Sequence, residues 1–248
     1  MAKKKKIIEI IEELNERFFI APVGNKVPIV EETIIPNMGR KKLRFYSETD
    51  FKRLFQNKRH GGKSYAEHWL QHKERKQYDG ISFDPAYRLF RHYNTFYGYS
   101  VCAKKGDCTK FLDFIREVIC NNNQEHYDYL INYLAHLFQK PDELPGVAIV
   151  LRGDEGTGKG FFVNQIGALI RSHYIQLTDP NSLIGRFNEM LTNNLLVFAD
   201  EACFAGKNEA RNRLKGLITE PEITIEEKYL SRYQIANYTR LIIASNED

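Results

Sequence analysis

One stretch constrains this chain more than any other: Gly153-Asp154-Glu155-Gly156-Thr157-Gly158-Lys159, with the G-x-x-x-x-G-K spacing. The apolar run at residues 147–151 reads as a buried strand, and residues 159–171 read as a helix. A glycine-rich turn from strand to helix lets consecutive backbone N–H groups face inward. The positive end of the helix points at the same place. Such a loop receives phosphate, and Lys159 adds a full positive charge. A glycine-rich turn formed by chance is the rival reading; strand, spacing and helix together argue against it.

The residue after the lysine departs from the usual pattern. Gly160 stands where Ser or Thr normally offers magnesium a hydroxyl. Thr157 or a water then takes that part, or the metal is held less tightly. The nucleotide-binding set expected from the motif is Gly153, Asp154, Glu155, Gly156, Thr157, Gly158, Lys159, Gly160 and Phe161.

A second strand, residues 195–199, runs directly into Asp200-Glu201. Beside a phosphate loop, that order assigns Asp200 to the Mg2+ shell and Glu201 to the base that activates the attacking water. An acidic loop following a buried strand is the plain alternative. A last apolar strand, residues 240–245, ends at Asn246. Next to the phosphate strand, that amide would orient the lytic water and sense the γ-phosphate; otherwise it is a turn residue. ATP and Mg2+ are the cofactors this set implies, with catalytic duty on Lys159, Asp200, Glu201 and Asn246.

The remaining elements follow from periodicity. Residues 5–17 show helical apolar spacing. Two short apolar runs around Gly24-Asn25 predict a hairpin. Residues 36–63 are polar and basic, a helix is expected over 65–76, and 77–108 reads as irregular with short strands. Helices are expected over 109–120 and 125–139, broken by Asn121–Asn123 and ended by Pro141. From residue 144, strands and helices alternate: a strand at 174–177, helices over 181–191 and 208–218, and a hairpin from 222–227 and 233–237. That alternation predicts an α/β fold with a parallel sheet flanked by helices.

These motifs, in this order, resemble superfamily 3 helicases of phage, plasmid and viral primase–helicase proteins. Supporting stretches are Pro145-Gly146-Val147 through Gly160, Leu183-Ile184-Gly185-Arg186-Phe187-Asn188, Phe198-Ala199-Asp200-Glu201-Ala202, Lys215-Gly216-Leu217-Ile218-Thr219-Glu220-Pro221 and Ala244-Ser245-Asn246. The resemblance covers roughly residues 105–248. It implies an AAA+-like P-loop ATPase that assembles as a homo-hexameric ring and translocates on single-stranded DNA beside a primase domain or primase partner. It also implies a DNA-binding pore hairpin, carrying Lys228, Tyr229 and Arg232, with Lys215 nearby. A cation follows the phosphate backbone and an aromatic ring stacks on a base. In that family an arginine beyond the Asn strand reaches the neighbouring nucleotide. Since the sequence stops at Asp248, the resemblance implies a C-terminally truncated core that binds ATP and turns it over weakly alone. Three parts are expected: a basic α+β accessory domain at 1–104 with possible DNA contact, a helical collar at 105–143, and the helicase ATPase core at 144–248.

Charge supports that division. Residues 1–110 carry 23 Lys+Arg and 13 Asp+Glu, a balance of +10, and residues 111–248 carry 13 and 19, a balance of −6. A basic half suggests nucleic acid as its partner, or simply a solvated surface. Four cysteines without a C-x-x-C pair predict neither a disulfide framework nor a zinc site, and no apolar run reaches a membrane span. A cytoplasmic setting follows. An ATP-binding replication initiator or loader, switching without unwinding, is the alternative function; a metabolic P-loop kinase is more distant.

Overall fold

A computed structural model describes residues 6–35, 40–179, 183, 185, 188–200, 208–226 and 232–246. Contacts divide the chain into two units: residues 1–82 with 89–95, and residues 83–88 with 96–248.

The first unit begins with α1 (Ile7–Arg17), which buries Ile10, Ile11 and Leu14. Glu9 accepts from the Lys6 backbone N–H and closes its first turn. The chain then turns extended into β1 (Phe18–Ile20), which pairs antiparallel with β2 (Ile29–Ile35), itself paired with β3 (Arg40–Tyr46). Gly24 adopts φ +56 at the connection. Residues 36–63 looked featureless by composition, yet they hold β3, α2 (Glu48–Leu54, capped by Ser47) and a small hairpin of β4 (Arg59–His60) and β5 (Lys63–Ser64). Next comes α3 (Tyr65–Gln71), with Ser64 and Glu67 forming a capping box. It is shorter than the expected 65–76, because His72 is already extended. Phe18, Phe51, Trp69 and α1 form the core, and the Trp69 indole N–H donates to Asn15. Two short parallel strands, β6 (Ile81–Ser82) and β7 (Tyr93–Asn94), complete the unit.

The second unit holds α4 (Thr109–Phe114), which continues as a π-helical turn over Ile115–Ile119. Asn121 and Asn122 reverse the chain with positive φ, which asparagine tolerates. Then comes α5 (Gln124–Gln139), capped by Asn123. The strands β8 (Ala148–Arg152), β9 (Tyr174–Leu177) and β10 (Leu196–Ala199) are joined through α6 (Lys159–Leu169) and two short 3-10 turns. After α7 (Asn208–Thr219), β11 (Glu222–Ile225) and β12 (Tyr233–Ala236) form an antiparallel hairpin. The last strand is β13 (Arg240–Ser245). The sheet is wholly parallel, in the order β8-β13-β10-β9. Of the helix expected over 181–191, residues 181, 182, 184, 186 and 187 lie outside the described residues; Gly185 is a bend, and the segment closes on the 3-10 turn Glu189–Leu191 instead of an α-helical end.

β10 is buried throughout and β13 over its first five residues, as a sheet covered on two faces requires. Leu196, Phe198, Ile242 and Ala244 face one core with Phe162 of α6 and Leu130 and Leu137 of α5. Val197, Ala199, Leu241 and Ile243 face another with Leu217 of α7. Gly167 matters here: a Cβ there would collide with the Tyr174 ring, so glycine lets α6 lie close on β9. The contact grouping follows the packing of the sheet unit and does not by itself separate a collar over 105–143 from the rest. The α5 helix shares one core with the sheet, and residues 83–88 and 96–104 count with the sheet unit.

Candidate functional site at the carboxyl edge of the parallel sheet

In a parallel sheet all strands end at one edge, and loops leaving that edge converge. The register defines that edge here. Arg152 pairs with Ser245, and Gly153 N–H donates to Ser245 C=O at 3.3 Å. Asn246 is therefore level with the start of the glycine-rich loop, on the adjoining strand. Ala199 pairs with Ile243 on the other side of β13, so Asp200 leaves the edge two strands from the loop. At the usual inter-strand spacing, loop and carboxylate stand roughly 10 Å apart, with the Asn246 strand between them.

Gly156 has φ +79 and Gly158 +90; both need glycine to turn the loop without strain. Gly158 is the N-cap of α6, and the first turn of that helix carries no acidic residue to offset its positive end. Lys159 Nζ donates to the carbonyls of Gly153 (2.5 Å) and Asp154 (2.8 Å). The ammonium thus lies across the loop, where the oxygens of an anion would replace two neutral acceptors. Thr157 Oγ1 donates to Asp154 C=O at 2.8 Å. That bond uses the hydroxyl hydrogen and leaves oxygen lone pairs, so it does not remove Thr157 as the substitute for the hydroxyl missing at Gly160. A Cβ at Gly160 would meet nothing within 4 Å, so sterics do not demand glycine there.

Asp200 N–H donates to Leu177 C=O (2.9 Å), and Asp200 Oδ2 accepts from Gln176 Nε2 (2.8 Å). Gln176 thereby orients the carboxylate from the neighbouring strand. Burial and the nearby Asp200 carboxylate raise the Tyr174 phenol above its usual pKa, so it stays neutral and donates to Asn164. Among the described residues no cluster of three or more His, Cys, Asp or Glu exists to cage a metal. One carboxylate plus phosphate oxygens and waters is the donor set magnesium commonly takes. Loop, lysine and carboxylate therefore fit a polyphosphate with such an ion.

The β11–β12 hairpin is anchored by two asparagines. Asn188 Nδ2 donates to Thr224 C=O, and its Oδ1 accepts from Glu226 N–H, both at 2.9 Å. Buried Asn237 donates to the carbonyls of Leu217 (2.8 Å) and Glu220 (2.9 Å), tying the hairpin to the end of α7. Arg232 is exposed and paired with Glu226 at 2.7 Å. Lys215 is exposed on α7. Glu201, Lys228 and Tyr229 lie outside the described residues. The structure thus brings the loop, Asp200 and Asn246 to one edge, and puts Lys215 and Arg232 on α7 and the hairpin. Sequence reasoning missed Gln176, Asn188 and Asn237. Their roles depend on contacts 17 to 38 residues away; Asn188 ends one of the stretches that carry the resemblance, but nothing there points to the hairpin, and no local pattern marks Gln176 or Asn237.

Residues 151–248 match a family model described as a family of unknown function, DUF5906. Over 142 residues the chain is 33% identical to the DNA primase-polymerase of Nitratiruptor phage NrS-1, a match covering 53% of this chain and 20% of that protein. The chain thus spans about a fifth of the length of this curated relative. In fold, it is similar to the apo structure of the NrS-1 C-terminal region, with TM-score 0.69, 20% identity, and coverage of 99% of this chain and 58% of that one. A second apo form of the same region gives the same values. At this identity the structural likeness shows a shared mixed α/β fold. No helix among the described residues is long and apolar enough to cross a membrane.

Proposed function

We propose that this chain is the ATPase core of a DNA replication motor, binding ATP with Mg2+ and coupling hydrolysis to movement along single-stranded DNA. One observation carries the reading: the glycine-rich loop with Lys159, Asp200 and Asn246 leave the same edge of one parallel sheet, with Asn246 level with the loop. Similarity to a phage primase-polymerase supports replication as the setting and a primase domain as partner. A homo-hexameric ring belongs to the same proposal.

In hydrolysis, Glu201 takes a proton from the attacking water, and the Asn246 amide orients that water toward the γ-phosphorus. As the bond to the ADP oxygen breaks, Lys159 offsets the charge on the β- and γ-oxygens. Asp200, held by Gln176, would ligate the magnesium ion, which neutralises phosphate charge when bound. Arg232 before β12, Lys215 on α7, and Lys228 and Tyr229, which lie outside the described residues, are the residues assigned to DNA in this reading.

Two results test this. ATP hydrolysis is expected to rise at least several-fold with single-stranded DNA, and the protein is expected to displace a strand from a forked duplex. Stimulation without displacement would favour the loader that switches without unwinding; no hydrolysis under any condition would remove the motor. Glu201→Gln is expected to retain ATP affinity within about threefold while lowering turnover about 10²–10⁴-fold, the usual contribution of a positioned base. Loss of binding in that variant would contradict the role given to Glu201.

A further inference from the structure

An aromatic ladder runs from the core of the sheet unit to the glycine-rich loop. Phe162, fully buried, lies stacked with Phe111 at 6.4 Å. Phe111 lies stacked with Phe114 at 6.3 Å, and Phe114 meets Phe161 edge to face at 5.5 Å. Phe161 is 57% exposed, in the first turn of α6. The Phe114 ring also lies against the loop backbone: a Cβ built on Gly158 would stand 3.2 Å from its Cζ. Phe114 comes from α4, about 40 residues upstream, so no motif points to it.

We infer that Phe114 and Phe161 form the platform on which the nucleobase of the bound nucleotide stacks, recognising it by its ring face and not by its hydrogen-bonding edge. This rests on the reading of Gly153–Lys159 as a phosphate loop. With the γ-phosphate directed to Lys159 and the sheet edge, the α-phosphate and sugar extend past the first turn of α6. That turn carries Phe161. Stacking on an aromatic ring contributes to binding yet tolerates any base, because every base has a π-face. Two adjacent rings, backed by a stacked ladder into the core, are already ordered before the nucleotide arrives, which limits the entropy cost of binding.

The test is calorimetric titration of the full chain with magnesium salts of ATP, GTP and tripolyphosphate. The wild-type chain is expected to bind ATP and GTP within about threefold of each other, and both about tenfold more tightly than tripolyphosphate. Phe161→Ala, at an exposed position where folding is not at stake, is expected to weaken ATP about tenfold and leave tripolyphosphate unchanged. Phe114→Leu, which keeps the apolar packing, is expected to shift in the same direction. Equal losses for ATP and tripolyphosphate, or none for either, would overturn the platform. A wild-type preference of ATP over GTP beyond about twentyfold would also count against it, pointing to edge recognition. Lys159→Ala should weaken all three ligands. If wild type binds neither ATP nor tripolyphosphate, the phosphate-loop reading itself fails, and the platform with it.

Discussion

Replacing Lys159 by alanine is expected to weaken magnesium-ATP binding about a hundredfold, with the melting temperature held within about 2 °C. A hydrogen bond to a charged partner contributes about 1.5–3 kcal/mol net, and Lys159 would make more than one to the β- and γ-oxygens. Stability should barely change, because Lys159 Nζ bonds within its own loop, to two carbonyls and the Thr157 hydroxyl. No core contact depends on its side chain. Titration calorimetry and a thermal melt on the same sample read both quantities. A Lys159→Ala chain that still binds ATP with wild-type affinity would show that the loop is not the phosphate site. Lys159→Arg should recover little, since a planar guanidinium is bulkier and its fork does not fit where a compact ammonium sits.

The second large effect concerns a residue with no part in the chemistry. Arg240 is fully buried at the first position of β13. Its Nη2 donates to the carbonyls of Lys140 (2.6 Å) and Glu143 (2.8 Å) and lies 2.9 Å from His136 Nδ1. Its Nη1 donates to Tyr238 C=O (2.9 Å). These carbonyls include those at the C-terminal end of α5, where backbone acceptors lack helical partners and a cation is favoured. Burial lowers the Arg240 pKa to about 10, which still leaves it charged at neutral pH. The same guanidinium and burial hold the His136 imidazole below its usual range, so His136 is neutral at pH 7 and offers Arg240 an acceptor. Arg240→Ala or Arg240→Met removes the buried donor and leaves several part-buried carbonyls without it. The expected cost is about 3–5 kcal/mol, the range for breaking a buried charged network by deleting one partner. In a chain of this size that corresponds to a melting-temperature drop of about 10 °C. A drop under about 3 °C would mean the carbonyls find water. Arg240→Lys should recover only part, because one ammonium cannot span acceptors arranged for a fork. Since β13 carries Asn246 at its other end, loosening Arg240 should also lower any ATP turnover before the chain unfolds.

Much of the sheet unit is written in local pattern. The central strands β10 and β13 need apolar runs because both faces of the sheet are covered there, and residues 240–245 were legible at their observed bounds for that reason, whereas 174–177, on the sheet edge with Gln176 exposed, was legible as a short apolar stretch. The loop was legible because phosphate binding demands glycines and a lysine at fixed offsets. The first unit was harder to read. In β3, Arg-Lys-Lys-Leu-Arg-Phe-Tyr looks like a charged linker until its residue-by-residue pairing with β2 makes it a strand. The helix α2 is seven residues long, too short for periodicity to identify; its Ser47 cap is the stronger signal. The two-unit division also escaped a linear reading, because residues 83–88 belong with the sheet while 89–95 return to the first unit.

For the candidate site, sequence alone determined which groups are present: a loop shaped for anions, an ammonium, an acidic pair after a buried strand and an amide ending another. Those choices are local, set by backbone φ, hydrophobic runs and charge. Only the tertiary structure decided that β13 lies between the strands leading to the loop and to Asp200, and that Asn246 is therefore level with Gly153. It likewise decided that Gln176 holds Asp200, and that Phe114 reaches Gly158 from a helix far upstream. Strand order and cross-element contacts arise from burying both faces of one sheet, a property of the whole assembled layer that no single segment carries.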